Sequence, residues 1–312
     1  MYESIPDDKF ILARKANALL LRARLIQNIR LFFINNNFLE VETPVRIPAP
    51  APEEHIEALS SGCWFLQTSP ELCMKRLLAA GFGQIFQFCK CFRFEERGKL
   101  HLPEFTMLEW YVAGFDYQQL MNQCEEMIIN IANHLGFSGG LSCRDGQVNL
   151  ILPWERITVR EAFEKYAPVT LDKALNQDRF DEILVEYIEP NLGMDKPSFL
   201  YDYPAPLGAL ARLKQSDPSV AERFELYIGG LELANGFSEL TDAAEQRQRF
   251  IEAQNLRAQK KYAAYPLPEK FLSALESLPM SAGIAVGIDR LAMLFAGAAG
   301  IDDVVCFTPE ML

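Results

Sequence analysis

Residues 91–111 combine arginines, carboxylates and aromatic rings at a spacing that brings them onto one surface. Their alternation predicts two β-strands joined by the charged, glycine-containing loop 96–99. Because strand side chains alternate between faces, Arg93 and Glu95 share one face of the first strand. One face of the second strand carries Phe105, Met107, Glu109 and Tyr111. Such a surface suits a phosphate, a purine ring and an ammonium group, although an ordinary solvated hairpin is the alternative that this stretch leaves open.

A second constellation is a pair of carboxylates on either side of a tight turn. Gly229-Gly230 predicts a two-residue hairpin turn within residues 223–233. The pairing that follows sets residue 227 opposite 232 and residue 225 opposite 234. Glu225 and Glu232 then become diagonal neighbours on one face, about 7–8 Å apart. Two carboxylates at this separation can bind magnesium together with substrate phosphates, and two ordinary surface acids are the alternative.

Two further stretches place polar groups beside glycines. Asn235-Gly236 predicts a turn after the carboxylate strand, which would bring Asn235 and Glu239 to the same pocket. Residues 283–288 predict a strand of small and apolar residues that leads into an apolar helix. Arg290 lies at that junction, where a guanidinium can meet a phosphate near the positive end of the helix. A buried strand and helix with one capping ion pair would give the same pattern.

Hydrophobic periodicity predicts the elements that position these residues. Helical spacing covers residues 10–34, 71–80, 117–135 and 179–189, and a capping box at 158–161 starts another helix. Strands are predicted at 38–44, 198–203, 223–235 and 283–288. Helices at both ends with antiparallel hairpins between them predict an α+β fold. We expect one domain over residues 1–312, with an insertion or subdomain at about 139–195.

Composition and charge exclude several classes of protein. The 312 residues are 49% hydrophobic and 23% charged, which is ordinary for a globular protein. A formal net charge of −12 argues against a surface that coats nucleic acid. The most apolar long stretch, 281–301, contains Asp289 and Arg290, so we expect no membrane span. The N-terminus has no basic segment followed by an apolar one, and we expect a cytoplasmic protein.

Three of these stretches resemble, in order, the signature motifs of class II aminoacyl-tRNA synthetases. Residues 38–44 are similar to motif 1, residues 92–111 to motif 2 and residues 283–296 to motif 3. Within this class the segments FLEVETP, PEFTM and NGFSEL are most similar to lysyl-tRNA synthetases. The resemblance implies an antiparallel β-sheet that cradles ATP, helices that flank the sheet, and a homodimer.

The chain departs from lysyl-tRNA synthetases in two respects. Only about ten residues precede the motif 1 helix, so we expect no N-terminal anticodon-binding barrel. Ala285 stands where those enzymes have glycine, and Ser69 where they usually have alanine. The whole sequence resembles more closely the truncated branch of the family whose members attach (R)-β-lysine to elongation factor P. A methyl group in a tight pocket can displace an amino group, which makes Ala285 a candidate discriminator between α- and β-lysine.

The resemblance implies which residues bind ATP and magnesium. The expected catalytic residues are Arg93, Glu95 and Arg290. Arg93 would hold the α-phosphate, and Arg290 the far end of the triphosphate. The nucleotide would contact Arg93, Glu95, His101, Phe105, Glu232 and Arg290. Glu225 and Glu232 would bind Mg2+.

The resemblance also implies how lysine or (R)-β-lysine is bound. The implied substrate residues are Ser69, Glu71, Glu109, Tyr111, Asn235, Glu239 and Ala285. The side-chain ammonium would be held by Glu109, Tyr111 and Glu239. Glu71 would bind the other amino group, and Asn235 would orient the carboxylate.

The implied reaction has two steps. The substrate carboxylate attacks the α-phosphate of ATP to give an aminoacyl-adenylate and pyrophosphate, and a nucleophile then displaces AMP. In the truncated branch the nucleophile is the ε-amine of a lysine on elongation factor P, and no stable tRNA binding is expected. Two alternatives stay open: a minimal lysyl-tRNA synthetase, and a non-catalytic lysine-binding regulatory paralogue. The paralogue should have lost Arg93, Arg290 or the metal carboxylates, and all are present.

Overall fold

The computed structural model describes residues 8–143 and 146–312. Residues 1–7, part of the N-terminal segment on which the expectation of a cytoplasmic protein was based, and residues 144–145 of the predicted insertion lie outside the described residues. The α-helices of the described part are α1 (Asp8–Asn35), α2 (Glu71–Ala79), α3 (Tyr117–Leu135), α4 (Val159–Tyr166), α5 (Leu171–Asn176), α6 (Phe180–Ile183), α7 (Ala243–Gln259), α8 (Glu269–Ala274) and α9 (Ile288–Ala296). A π-helix (Leu184–Ile188) continues α6.

One mixed sheet of nine strands organises the chain. The described strands are β1 (Leu39–Glu40), β2 (Arg46–Ile47), β3 (Ser60–Ser61), β4 (Trp64–Leu66), β5 (Gln84–Phe92), β6 (Glu104–Ala113), β7 (Leu141–Cys143), β8 (Gly146–Val148), β9 (Glu155–Thr158), β10 (Ser198–Pro204), β11 (Leu213–Lys214), β12 (Asp217–Ile228), β13 (Leu231–Ser238) and β14 (Ser281–Gly287). The sheet has the order β1-β5-β6-β14-β13-β12-β10-β9, with β11 beside β12. Among the strands of the described residues, only β1–β5 and β9–β10 pair in parallel. The predicted α+β class with an antiparallel sheet is therefore confirmed, with a parallel pair at each edge.

The two faces of the sheet have different partners. Leu108 and Trp110 of β6 and Ile284 of β14 are fully buried in the core formed with α1, α3 and α9. Because strand side chains alternate, Glu109 and Tyr111 point to the opposite face. There α2, α7 and α8 pack over one end of the sheet. The functional side chains predicted on β6 therefore lie on the face away from the main core.

Helix α1 is held by an apolar stripe and one buried ion pair. Leu25, Ile29 and Phe33 recur every fourth residue and are fully buried, which stabilises the helix by about 1.5–3 kcal/mol per side chain. Arg22 Nη1 lies 2.6 Å from Asp289 Oδ1 at the start of α9. Asp289 Oδ2 also accepts a 2.6 Å hydrogen bond from the backbone of Thr106 on β6. This carboxylate therefore ties α1, α9 and β6 together directly beside Arg290.

Two predicted helix boundaries rest on capping groups that the structure contains. Helix α3 begins after Asp116, whose side chain forms a capping box with Gln119, and ends at Gly136 in the left-handed region, φ 84°. The predicted range 117–135 is confirmed. The capping box of Thr158 and Glu161 at the start of α4 is also present.

The segment predicted as an insertion adds an edge strand and a second apolar cluster. Strand β9 pairs in parallel with β10, and α4–α6 bury Val159, Phe163 and Ile183 against the sheet. Tyr203 of β10 and Tyr227 of β12 belong to the same cluster. The boundaries of the insertion at 139–195 stay a prediction.

The predicted strand at 38–44 is shorter in the structure. Only Leu39–Glu40 form a strand, and the parallel ladder ends with a hydrogen bond from Val41 N to Phe86 O of 2.9 Å. Pro44 has no backbone N–H, and the chain leaves the sheet edge before it.

The first strand of the predicted hairpin ends earlier than expected. Strand β5 stops at Phe92, so Arg93 and Glu95 lie in the loop to β6 rather than on one strand face. Phe94 N donates to Glu57 O, which draws the chain away from β6, and Glu95 has a positive φ of 59°. The predicted shared face of β6 is confirmed, since Tyr111 OH donates to Glu109 Oε2 at 2.7 Å.

The register of β12 and β13 contains a bulge that the turn alone did not predict. Residue 227 pairs with Glu232 as expected, but a shift between Leu226 and Tyr227 sets Glu225 opposite Asn235, not opposite residue 234. The predicted turn at Asn235-Gly236 is also wrong, because both residues lie within β13. A Cβ at residue 236 would lie 2.6 Å from the Phe224 ring, so close packing requires this glycine.

Candidate active site

Arg93 stands at the end of β5 with donors that the protein does not use. Its guanidinium lies 5.1 Å from the Phe105 ring centroid, and the one ion pair that it forms with a described residue, to Glu96, is long at 3.7 Å. Its Nε is buried and has no hydrogen-bond partner among the described residues. A buried donor without an acceptor is costly, so this guanidinium is suited to an anionic ligand.

Arg290, by contrast, is held from two sides. Its Nη1 donates to the backbone oxygen of Glu232 at 2.8 Å and lies 3.2 Å from the carboxylate of the same residue. Its Nη2 donates to His101 Nε2 at 2.5 Å. Burial and the charge of Arg290 lower the pKa of His101, which keeps the imidazole neutral and able to accept. Arg290 thus joins α9, the β5–β6 loop and β13 in a fixed orientation.

The two predicted metal carboxylates differ in their surroundings. Glu225 accepts from Arg223 Nη2 at 2.7 Å, and from the hydroxyls of Tyr203 and Tyr227 at 2.6 and 2.7 Å. Within the described part of the chain the carboxylate of Glu232 meets only Arg290, and 37% of this side chain is exposed. Burial and the charge of Glu225 raise the pKa of Glu232, against the opposing charges of Arg290 and Arg93.

A third carboxylate, which the sequence did not single out, lies near this pair. Glu189 accepts from Tyr227 OH at 3.2 Å. Burial and the charges of Glu232 and Glu225 raise its pKa. The excess of negative charge at this end of the site therefore favours a bound cation.

At the other end of the site, Ser69 and Tyr111 orient Glu109. Ser69 Oγ donates to Glu109 Oε1 at 2.5 Å and accepts from the backbone of Glu71 at 3.0 Å. Tyr111 OH holds the other oxygen of Glu109. Ser69 lies just before α2 and Tyr111 lies on β6, so the two donors reach Glu109, which is 1% exposed, from the helix and from the sheet.

A lysine of the chain itself lies between two further glutamates. Lys75, one turn after Glu71 on α2, places its ammonium 2.5 Å from Glu71 Oε1 and forms an ion pair with Glu239 Oε2. The same ammonium is 4.9 Å from the Phe237 ring centroid. Glu239 Oε1 has no donor among the described residues, although Glu239 is only 1% exposed. We call Glu71, Glu109, Glu239 and Lys75 the glutamate cluster.

The glutamate cluster carries more carboxylates than its surroundings stabilise. Burial and the charge of Glu71 raise the pKa of Glu109 to about 8, against the hydrogen bonds of Ser69 and Tyr111 and the charge of Lys75. Burial raises the pKa of Glu239 to about 8, although Lys75 opposes this shift. Burial also works against the charge of Lys75, but Glu239 and Glu71 outweigh it and raise the pKa of Lys75. The cluster is therefore short of cations.

Asn235 and Ala285 lie between the two ends of the site. The central strands pair Ala285 of β14 with Glu109 of β6 on one side and with Asn235 of β13 on the other. Asn235 Oδ1 accepts from Arg223 Nε at 3.2 Å. The Ala285 side chain packs against Cys89, Cys91 and Met107. This methyl group is therefore part of the floor that joins the glutamate cluster to the arginines.

The structure brings together all but one of the predicted site residues. Glu95 is the exception, since it is exposed in the β5–β6 loop and its side chain forms no hydrogen bond or ion pair with the other site residues in the described part of the chain. Sequence reasoning missed Lys75, Arg223 and Tyr203. Lys75 follows Glu71 by four residues on one helix, and Arg223 precedes Glu225 by two on one strand, so spacing alone could have indicated both. Tyr203 is on another strand, and no local signal identifies it.

Comparison with known sequences places the chain in a family. The family described as tRNA synthetases class II (D, K and N) matches residues 10–311, which include the whole site. The chain belongs to the class II tRNA synthetase family.

Similar class II synthetase sequences include several named elongation factor P–(R)-β-lysine ligase. The protein of this name from Histophilus somni (strain 2336) is 42% identical over 310 residues, 93% of this chain and 94% of the relative. That of Proteus mirabilis (strain HI4320) is 41% identical over 306 residues, with the same coverage. That of Pectobacterium carotovorum subsp. carotovorum (strain PC1) is 39% identical over 325 residues, 94% of this chain and 95% of the relative.

The site residues of this class II synthetase chain are compatible with a nucleotide and a metal ion. The open donors of Arg93 fit a phosphate. Within the described residues no group of three or more His, Cys, Asp or Glu side chains is arranged to hold a metal alone. An ion such as Mg2+, which prefers one or two carboxylates plus substrate phosphates, is compatible with Glu232 and Glu225.

Over the same described residues, no helix combines the length and the apolar character needed to span a bilayer.

Proposed function

We propose that this protein is an AMP-forming ligase that activates (R)-β-lysine with ATP and transfers it to the ε-amine of a lysine on elongation factor P. The observation that carries the proposal is a site with two complementary ends on one sheet face. One end has the open guanidinium of Arg93, and the other has the open carboxylate oxygen of Glu239. An amino acid with a distal ammonium and a carboxylate that meets ATP would satisfy both ends. The names of the similar proteins supply the acceptor.

The chain would position the nucleotide mainly through preset charges. Arg93 would bind the α-phosphate and stabilise the charge that develops when the substrate carboxylate attacks. Arg290, fixed by Glu232 and His101, would bind the far end of the triphosphate without losing further side-chain freedom. The adenine ring of ATP would stack on Phe105. Glu95 is exposed in the β5–β6 loop, so it would contact the nucleotide only after its side chain turned toward the site.

Glu232 and Glu225 would hold Mg2+, which would neutralise phosphate charge when bound. The hydrogen bonds of Tyr203, Tyr227 and Arg223 fix the orientation of Glu225. Glu232 is the more exposed of the two and is the one that also meets Arg290. Glu189 adds negative charge behind both.

The amino acid would lie between the glutamate cluster and Arg93. Its distal ammonium would bind Glu239 Oε1 and Glu109, and its other amino group would bind Glu71. Asn235 would orient the carboxylate, and the Ala285 methyl group would favour the amino-group position of a β-amino acid. In the second step the acceptor amine forms an amide with the activated carbonyl carbon, AMP leaves, and the amine loses a proton to solvent.

The exposed side of α1 supports a homodimer. Phe10, Leu20, Leu31 and Ile34 are at least half exposed, and the last three lie along one side of the helix. These three side chains, which we call the apolar strip, share their side of the helix with the exposed polar residues Arg24 and Gln27. Exposed large apolar side chains on a helix that is already packed on its other side are typical of a protein interface. Motif 1 of the family begins at the end of this helix, and we propose that a second copy covers the strip. We propose no stable tRNA complex.

The proposed activation step is tested by pyrophosphate exchange into ATP. We expect exchange to require (R)-β-lysine or lysine, and Arg93→Ala to reduce it by about 100-fold or more, the effect of removing one donor to a developing oxyanion. Arg97→Ala is the matched control, because Arg97 lies in the same loop but binds Asp302 and Glu310 on the surface. Exchange at near wild-type rate in Arg93→Ala would contradict the assignment.

A further inference from the structure

The glutamate cluster contains its own ammonium group, and that group occupies part of the site proposed for substrate. Lys75 is 1% exposed and reaches from α2 to Glu239 beyond the end of β13. It is the one cation that the described residues bring into contact with Glu71, Glu109 or Glu239. Three carboxylates with one ammonium leave a deficit of two positive charges.

The carboxylate oxygens of the glutamate cluster agree with this deficit of positive charge, because one of them has no donor among the described residues. Lys75 donates to one oxygen of Glu71 and forms an ion pair with Glu239 Oε2 that lacks regular hydrogen-bond geometry, while Glu239 Oε1 meets no donor among the described residues. That oxygen lies beside the Tyr111 ring and the backbone of Gly283, as an added Cβ at residue 283 would be 2.6 Å from it. The cluster therefore keeps an acceptor for a second ammonium after Lys75 is bound.

We propose that Lys75 is a positioning residue that makes Glu71 and Glu239 easier to ionise when the substrate binds, so that the three ionised carboxylates of the cluster are balanced by Lys75 and by the two ammonium groups of the substrate. In the free protein, bound protons on the carboxyl groups of the cluster supply the two missing positive charges. A diamino acid displaces these protons when it binds. Lys75 sets the pH range of substrate binding without touching the reacting atoms. The inference rests on the proposed function, because it takes a diamino acid as the substrate.

The groups that face the cluster from each element agree with this role. Lys75 and Glu71 come from α2, Glu109 and Tyr111 from β6, and Glu239 from the end of β13. Glu53, in the loop before β3, adds a further carboxyl: burial and the charge of Glu71 raise its pKa to about 7, against Arg93, Arg223 and Arg257. Lys75 lowers the pKa values of Glu109 and Glu239, so removing its charge raises both further. Substrate ammonium groups need ionised carboxylates and would then bind only at higher pH.

The test is the pH profile of the KM for lysine in pyrophosphate exchange, measured for Lys75→Met and Lys75→Arg. We expect the wild-type KM to fall as pH rises toward 8. In Lys75→Met the pH at which KM falls should be about one unit higher than in the wild type. At pH 7 this raises KM about tenfold. The value of kcat with saturating lysine should change far less. Lys75→Arg keeps the charge and should keep the wild-type midpoint.

Lys15→Met is the matched control for loss of a buried ammonium. Lys15 is 9% exposed and donates to Val305 O, away from the cluster, so its profile should coincide with that of the wild type. A Lys75→Met profile that coincides with both would overturn the proposal.

A measurement on the unmodified protein covers the case in which Lys75→Met does not fold. Calorimetry of lysine binding at pH 7, in buffers of different ionisation enthalpy, should detect a net release of protons that disappears above about pH 9. Binding without proton release would overturn the proposal. If the wild type neither binds lysine nor exchanges pyrophosphate with either lysine isomer, the proposed function itself fails, so the two failures are distinguishable.

Discussion

At the scale of single residues, the site is defined by which polar atoms have partners and which do not. Glu225 and Arg290 are each held by several neighbours and act as fixed groups that keep some bonding capacity for a ligand. Arg93 Nε and Glu239 Oε1 are buried and have no partner within the described residues. A buried polar atom without a partner costs about 1–3 kcal/mol, and these two costs would be removed by one ligand with a phosphate and an ammonium group.

The raised pKa values of Glu109 and Glu239 predict how the stability of the free protein depends on pH. A carboxyl that is protonated in the folded state up to about pH 8, but ionises at its ordinary value near 4.5 when unfolded, stabilises the fold most below that lower value. This stabilisation is lost as pH rises from about 5 to 8. We therefore expect the Tm to fall over this range.

Glutamine substitutions provide the check on this pH dependence. Thermal unfolding of Glu239→Gln should show a smaller fall in Tm between about pH 5 and pH 8 than the wild type, because one titrating group has been removed. Glu252→Gln, on the exposed side of α7, is the control and should follow the wild-type curve. An unchanged slope in Glu239→Gln would mean that Glu239 is ionised throughout the range.

At the scale of secondary-structure elements, β14 must lie close to its neighbours. A Cβ on Gly283 would lie 2.2 Å from Tyr111 Cε1, whereas one on Gly287 of the same strand would have 3.8 Å to its nearest atom. We expect Gly283→Ala to lower the free energy of unfolding by about 1–3 kcal/mol or more and to impair lysine activation, because it displaces the pocket floor. Gly287→Ala should be near wild type in urea unfolding. Equal stability of the two variants would contradict the packing of β14.

The elements that the sequence predicted well are those with local signals. Helix α3 has both of its limits marked by residues at its ends, Asp116 and Gly136, and its predicted range agrees with the structure. The turn at Gly229-Gly230 and the alternation along β6 are local in the same sense. Family resemblance, rather than spacing, then indicated that these elements form one site.

Features that depend on distant contacts were beyond the reach of local patterns. The bulge between Leu226 and Tyr227 changes the partner of Glu225 and is set by how β12 fits between β10 and β13. The end of β5 at Phe92 depends on the hydrogen bond from Phe94 to Glu57. Lys75 meets Glu239 across 164 residues of sequence, so only the fold reveals that they share a pocket.

At the scale of the whole molecule, the apolar strip on α1 predicts the state of assembly. We expect the wild type to sediment as a dimer and the double variant Leu20→Glu, Leu31→Glu to sediment as a monomer, because it places charges in the proposed interface. Val185→Glu changes an equally exposed apolar residue outside α1 and should stay dimeric. A double variant that stays dimeric would locate the interface elsewhere.

The choice of acceptor is the central claim about the whole molecule. The proposed active site alone is compatible with either a tRNA or a protein as acceptor, since both present a nucleophile to the same adenylate. The net charge of −12 makes broad contact with tRNA phosphates unfavourable, which favours a protein acceptor.

The most direct test is a competition between acceptors. The protein, ATP and magnesium would be mixed with both elongation factor P and total tRNA, with lysine or (R)-β-lysine. Intact mass of the factor and acid-gel shifts of the tRNA would be measured. We predict that elongation factor P gains the mass of one lysyl group, faster with (R)-β-lysine, while the tRNA stays uncharged. Charged tRNA beside an unmodified factor would contradict the account and identify a minimal synthetase instead.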